Sequence, residues 1–437
     1  MKSILVTLLF TTLTTAAFAQ NAQLGDTLYL DNAVEVALGN NYGIRVAQRQ
    51  VDLANNRIFK GNAGMTPILD WNTSVNSTFN QVQQNFIDGR VINRFGTSAS
   101  PNTALALQYT LYNGGRMNAV FDRLKSLGQL SEIQRQLVLQ NTVSSVMEAY
   151  YNIQRLQSTL AFIDQIIRYY EERQTLTEER WQIGRGSKLD FLQSKADLTI
   201  QLTDQTNLEI QLRNAKIELN RLLARDPNID FKVEGELQDY QMFDLQYLKA
   251  QAKSQNPEFL ALKKQEEINQ LEQREARAYL KPTINLNSSF GYNFNYNNAG
   301  LISNSQSTGL SAGLSASWRI FDGKLIKKNI EMAKINGDIL RIRREELLSN
   351  LDNEITAAYH QYETQKRLLE LEQQNIATAQ ENLEISAEKF KLGASTILEI
   401  NDAQTRFNTI MNRLVAAEYN LRISKLNLLT LSGELIR

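Results

Sequence analysis

The 437-residue chain has no cysteine, one histidine and five prolines, and its 47 Lys and Arg are balanced by 47 Asp and Glu. Each scarcity excludes something. Without Cys there is no disulfide framework, no thiolate nucleophile and no N-terminal lipid anchor on cysteine. The fold must rest on its core or on oligomerisation. One His and no Cys leave few options for proton-transfer catalysis or a transition-metal site. Zero net charge gives no basic footprint for nucleic acid. No Gly-rich phosphate loop follows a strand and no nucleophile–base pair is evident, so neither an enzyme nor a cofactor is expected. Beyond the N-terminus, no stretch approaches the roughly 20 apolar residues of a membrane helix. Few prolines suit very long helices.

The N-terminus has the pattern of a secretory signal over residues 1–19. Lys2 supplies a positive start, Ile4 to Phe10 is apolar, and Ala17-Phe18-Ala19 is a small-x-small cleavage site before Gln20. An exported protein is expected.

The rest of the chain is written twice. Asn41, Pro67 and Asn72 recur as Asn256, Pro282 and Asn287, a shift of 215 residues. Tyr112, Asn113 and Gly114 become Phe321, Asp322 and Gly323, a shift of 209 that holds on through Trp181, Gly184 and Leu189 to Phe390, Gly393 and Leu398. The six-residue difference places an insertion in a loop between 72 and 112. Two pseudo-symmetric units are expected, residues 20–224 and 245–437, joined by a linker over 225–244 that holds Pro227 and Gly235. The single His360 falls opposite Tyr151, which reads as one aromatic packing position filled two ways.

Each repeat reads as two short helices, a strand, a loop, a strand, a very long helix, a tight turn and a returning helix. Arg116 to Trp181 contains no Pro and one Gly, Gly128. Leu139, Val143, Val146, Tyr150, Ile153, Leu160, Ile163, Ile167 and Tyr170 recur in steps of three and four, with Gln157 filling the one gap, which is coiled-coil spacing. A helix of this length spans about 100 Å and needs an elongated bundle to cover its stripe. The far turns, 183–190 and 392–399, each break the helix once. Gly184 and Gly393 suit a helix end with positive φ. Ser187 with Asp190, and Thr396 with Glu399, fit a capping box for the returning helix.

Strands are expected near 68–80, 103–112, 283–297 and 308–321. The third alternates cleanly: Ile284, Leu286, Phe290, Tyr292, Phe294 and Tyr296 point one way, and Asn285, Asn287, Ser289, Asn293, Asn295 and Asn297 the other. Its repeat sets Leu69, Trp71, Val75 and Phe79 against Asp70, Asn72, Ser74, Asn76 and Asn80. An amide face suits a wet lumen, because in a dry core each amide needs a partner. Trp71, Tyr109 and Trp318 fit an interfacial aromatic belt. Four strands cannot close a membrane barrel, and lipid tolerates no open edges, so the chain must share one. Three copies give 12 strands. The fold class is therefore mainly α with a small membrane β part: long antiparallel coiled-coil hairpins plus four barrel strands per chain. The rival reading is an exported coiled-coil adhesin or scaffold, which leaves the alternating strands unexplained.

The doubled layout, Pro67 and Pro282 before the outgoing strands, the turns Leu111-Tyr112-Asn113-Gly114-Gly115 and Ile320-Phe321-Asp322-Gly323, and the two Gly-containing tips together resemble the TolC-type outer-membrane efflux channel family. The resemblance implies a homotrimer in the Gram-negative outer membrane. It implies a 12-strand barrel in lipid, an α-helical barrel reaching into the periplasm, and docking onto a periplasmic adaptor and an inner-membrane pump. The function implied is the passive exit duct of a tripartite efflux or type I secretion system. It places candidate gate residues at Asp190, Glu399, Asp402 and Phe390, and candidate adaptor-docking tips at Gly184, Leu189, Gly393 and Leu398. Glu399 and Asp402, at i and i+3, share a helix face. The family's gate also uses a tyrosine and an arginine near the second tip, where this sequence has Phe390 and Ser395.

Overall fold

A computed structural model describes residues 27–235, 241–299 and 302–436. The expected signal segment lies outside the described residues. In chain order the elements are β1 (Thr27–Leu28), α1 (Leu30–Asn40), α2 (Tyr42–Asn56), β2 (Ile68–Asn85), β3 (Val91–Asn113), α3 (Arg116–Gln182), α4 (Lys188–Leu222), β4 (Lys232–Val233), α5 (Leu245–Gln255), α6 (Pro257–Ala278), β5 (Thr283–Asn297), β6 (Asn304–Ser317), α7 (Leu325–Lys391) and α8 (Ile397–Ser432). The two long helices have 67 residues each.

The breaks between short helices are made by the same residue type in both halves. The Asn41 side chain accepts from the amides of Gly43 and Ile44 at 2.8 and 3.3 Å. The Asn256 side chain accepts from Glu258 and Phe259 at 2.9 and 3.1 Å, with Pro257 opening α6. Both are N-caps that satisfy amides no helix can. Asp31 lies in the first turn of α1, where its carboxylate favours the helix N-terminus as a charge. The strand-to-helix turns are also paired: Asn113 Oδ1 accepts from Met117 N at 3.1 Å, and Asp322 Oδ2 from Ile326 N at 2.8 Å.

The chain divides into two compact units, each drawing on both sequence repeats. One contains the described residues up to Asn40, with Ser145–Asp239 and Leu369–Tyr419; the other contains Asn41–Ser144, Tyr240–Leu368 and Asn420–Arg437. In the first unit, Ala33 and Ala37 of α1 pack on Val146, Tyr150 and Ile153 of α3, on Leu219 of α4 and on Leu223 just beyond it. The Tyr150 hydroxyl lies 2.8 and 2.6 Å from the carbonyls of Leu28 and Glu234, beside the parallel β1–β4 pair. A buried phenol needs such a partner, and this one ties the linker to the long helix. A second core joins Ile166 and Tyr170 of α3, Ala379 and Leu383 of α7, and Ala403, Phe407 and Met411 of α8.

In the second unit, Gly128 and Gly337 occupy the same position in the two repeats. A Cβ at Gly128 would lie 2.8 Å from Ile58 Cδ1, and one at Gly337 would lie 2.7 Å from Asn269 Oδ1. Each long helix thus lacks a side chain where the segment preceding its hairpin crosses closely.

The unit also holds one antiparallel sheet, ordered β2-β3-β5-β6. The first hairpin is longer than the alternation predicts. β2 continues to Asn85 and β3 begins at Val91, because Asp88-Gly89 makes a tight turn: Gly89 has φ +86°, and Phe86 N donates to Arg90 O at 2.8 Å. Pro101, which argues against a strand there, sits within β3. The β3–β5 ladder skips Ser100 and Pro101, where proline has no N–H to give, and Ser100 Oγ donates to Asn295 Oδ1 at 3.0 Å instead. β6 runs over Asn304–Ser317, so Trp318, Arg319 and Ile320 lie just beyond the strand.

Candidate functional site

The register aligns the four strands so that their large apolar residues gather on one face. Trp71 lies opposite Leu105, Leu105 opposite Phe290, and Phe290 opposite Leu310, a continuous row across the sheet. Tyr109 lies opposite Leu286, which lies opposite Leu314. Leu69, Trp71, Val75, Phe79, Leu310 and Leu314 are all exposed in the single chain. The other face is mostly amide, hydroxyl, alanine and glycine, with Ile68 and Asp70 at the start of β2. Asn72, Ala104, Gly291 and Gly309 form one row, and Gln108, Asn287 and Gly313 another. Its polar groups bond across strands: Thr110 to Asn285 Oδ1 at 3.0 Å, and Asn287 Nδ2 to Ser315 Oγ at 3.0 Å. On the apolar face the Trp71 indole is satisfied by Thr103 Oγ1 at 2.8 Å. The sheet therefore has one face fit for hydrocarbon, one fit for water and, among the described residues, two unpaired edges, β2 and β6. In water such an arrangement invites edge pairing. In lipid it must close with other strands.

The three aromatics expected at an interfacial belt fall near the strand ends that lead to the helices. Trp71 is three residues into β2, Tyr109 is four residues before the end of β3, and Trp318 follows β6. The Trp318 indole donates to Leu280 O at 3.0 Å.

The tips share one construction. Gly184 and Gly393 both have φ +75°. Gly184 N donates to Trp181 O and Arg185 N to Arg180 O, at 3.1 and 2.7 Å. Gly393 N donates to Phe390 O and Ala394 N to Lys389 O, at 3.1 and 2.9 Å. This paired closure of the last carbonyls is a Schellman motif, which requires a left-handed residue. The returning helices start differently. Thr396 and Glu399 form a reciprocal box, with Glu399 N to Thr396 Oγ1 at 3.3 Å and Thr396 N to Glu399 Oε2 at 3.4 Å. Ser187 Oγ instead accepts from Leu189 N at 3.1 Å, one residue short of Asp190. Leu189 and Leu398, at equivalent repeat positions, are 69% and 73% exposed.

The gate candidates divide by burial. Glu399 and Asp402 are exposed on α8, while Ile400, Ala403, Gln404 and Phe407 face the core. Asp402 Oδ2 accepts from Arg406 Nε at 2.7 Å, and that carboxylate raises the guanidinium pKa. Asp190 is half-buried. Phe390 is only 4% exposed. Its ring lies 4.8 Å beneath the Arg180 guanidinium, which also donates to the Phe390 carbonyl at 2.5 Å. Lys391 reaches Glu172 at 3.0 Å, a pairing that raises the lysine pKa. These contacts join α7 to α3 beside the tips.

One residue there escaped the sequence reading. The side chain of Arg173 is 1% exposed and lies 2.5 Å from Asp197 of α4. It also donates to Gln404 Oε1 at 2.7 Å and Asn401 Oδ1 at 3.2 Å on α8. Its guanidinium stacks over Tyr170 at 4.7 Å, and burial raises the Tyr170 pKa. One helical turn further on, the hydroxyls of Thr177 and Ser194 meet at 2.6 Å. The signal was present: Arg173 and Thr177 continue the three-four stripe past Tyr170 with polar residues.

Comparison with known proteins follows the same lines. The profile of the outer membrane efflux protein family matches residues 33–225 and 248–434. The chain is 21% identical over 358 residues to the outer membrane protein TolC of Escherichia coli K12, covering 80% of this chain and 71% of TolC. It is 20% identical over 420 residues to the cation efflux system protein CusC of the same organism, covering 93% and 88%. Among solved structures it matches the outer-membrane channel OprN with a TM-score of 0.77 at 18% identity, over 92% of this chain and 89% of OprN. It matches the Campylobacter jejuni CmeC outer membrane channel with a TM-score of 0.77 at 17% identity, over 93% and 85%. These structures establish the fold. The scaffold reading accounts for the helices alone and is set aside. The chain belongs to the outer membrane efflux protein family and is an outer-membrane channel protein of the efflux type.

Proposed function

We propose that the chain is the exit duct of a tripartite system and acts as a homotrimer. Its four strands supply one third of a 12-strand barrel, and its long hairpins supply one third of a helical tunnel reaching into the periplasm. The observation that carries this reading is the four-strand sheet with an exposed apolar row, an amide face and two open edges. Transport is passive, driven by an inner-membrane pump through a periplasmic adaptor, and the chain itself catalyses no reaction.

The tips are the adaptor-docking ends in this proposal. Gly184 and Gly393 keep the turns small, and exposed Leu189 and Leu398 offer a matched pair of apolar contacts. The gate lies beside them. In a trimer, Glu399 and Asp402 would each form a ring of three carboxylates, with Asp190 at the corresponding tip of the first repeat and the Arg180–Phe390 contact joining α3 to α7 beside them. Their exposure on the side of α8 away from its core supports that reading.

Planar-bilayer recording tests the duct directly. The assembled protein should insert and give discrete current steps without ATP or a proton gradient. Inserted protein that never conducts would contradict the proposal.

A further inference from the structure

Where the sheet meets the helices, Gly114 follows β3 directly and Lys281 lies two residues before β5. Between them is an open pocket of about 300 Å³, lined by Gly114, Asn118, Asp122, Arg274, Arg277 and Lys281 among others. Gly114 forms part of its wall because it lacks a side chain. It has φ +73°, and a Cβ there would lie 2.4 Å from Ala278 O and 2.7 Å from Lys281 Cβ.

Three cations, Arg274, Arg277 and Lys281, face one carboxylate, Asp122, in the lining of this pocket. Arg274 and Arg277, three residues apart, share a face of the last turns of α6, and Lys281, three residues beyond the helix, lines the same pocket. Among the described residues, none of these three side chains has a carboxylate partner. Of the acids nearby, Glu275 pairs with Arg123 at 3.2 Å, and Asp122, on the pocket wall, lies 3.8 Å from Lys125 and leaves a net positive charge there. The amide of Met117 in the first turn of α3 is already capped by Asn113, so the excess positive charge belongs to the side chains. Cations near the end of α6 also favour its dipole, but that effect alone does not require three of them around a cavity.

The position identifies the ligand class. Trp71, Tyr109 and Trp318 mark the strand ends at this level, and Tyr279 beside the pocket receives a hydrogen bond from Arg116 Nη1 at 2.8 Å. Aromatic belts sit at the headgroup level of a bilayer. Below the belt the apolar strand face meets acyl chains; at the belt, an exposed cation meets phosphate. We infer that this pocket holds the phosphate headgroup of an anionic phospholipid from the leaflet on the helical side of the barrel. The two guanidinium groups can each bind phosphate with two parallel N–H bonds, and Lys281 adds a point charge. The inference rests on the membrane reading of the sheet.

The test is native mass spectrometry of the assembly released from nanodiscs of phosphatidylglycerol or of phosphatidylcholine. The wild type should retain phosphatidylglycerol in preference to phosphatidylcholine. Arg274→Gln, Arg277→Gln and Lys281→Gln should each cut that preference about fivefold. Asn118→Asp adds a carboxylate to the pocket with almost no change in volume, and should cut the preference without a packing defect. Inorganic phosphate should leave the lipid adducts in place. Unchanged preference in the variants would overturn the inference. So would displacement by inorganic phosphate, which would make this a soluble-anion site, or loss of assembly equally in both lipids, which would assign the cations to protein contacts. Failure of the wild type to enter either nanodisc would overturn the membrane reading, and the pocket with it.

Discussion

Two glycines in equivalent turns meet different surroundings. Gly114 and Gly323 both have positive φ, but a Cβ at Gly323 would meet nothing within 4 Å, whereas one at Gly114 would collide with α6. Gly323→Ala should therefore cost only the left-handed strain, about 1–2 kcal/mol. Gly114→Ala should cost that plus about 1–3 kcal/mol of overpacking. Denaturation of the two variants side by side checks the order, and equal costs would contradict the close approach at Gly114. Asp402 and Arg406 make a second pair with opposite expected effects. If Asp402 forms a ring in the tunnel, Arg406 brings its own ring of opposite charge one turn away. Asp402→Asn should weaken cation preference and Arg406→Gln should strengthen it. Reversal potentials under a salt gradient read both. Identical selectivity in both variants would remove these residues from the bore.

The coiled-coil hairpins carry a polar seam where the stripe turns from apolar to Arg173 and Thr177. A buried guanidinium spanning three helices is costly to truncate, because its partners lose their bonds inside the bundle. Arg173→Ala should destabilise the tip hairpins by about 3–5 kcal/mol. Hydrogen exchange should show faster opening of α4 and α8 near Asp197 and Gln404 than in wild type. Unchanged protection would mean that the arginine contributes little. Much at this scale was legible in the sequence. The stripes, the glycine tips and the alternating strands each follow a local period or turn rule. Other features were not. The extension of β2 and β3 past residue 80 depends on the Asp88-Gly89 turn and on a neighbouring strand that bonds around Pro101. The Arg173 hub depends on residues 24 to 231 positions away, and such a partner is invisible to any local pattern. The tip residues were legible as turn chemistry: Glu399 does form its capping box, while the first tip uses Ser187 without Asp190.

At the scale of the whole molecule, the account turns on the two open edges of the sheet. The large sheet of each chain has four strands, its edges β2 and β6 lack partners among the described residues, and the apolar face stays exposed. Closure between copies removes both edges at once. The absence of native cysteine makes this directly measurable. Cysteines placed along β2 and along β6, one on each edge, should form disulfides between neighbouring copies in the outer membrane at some register of the scan. The account predicts covalent products that end at three chains, with no longer species. A complete scan that yields only monomer, while the protein sits folded in the membrane, would contradict the shared barrel.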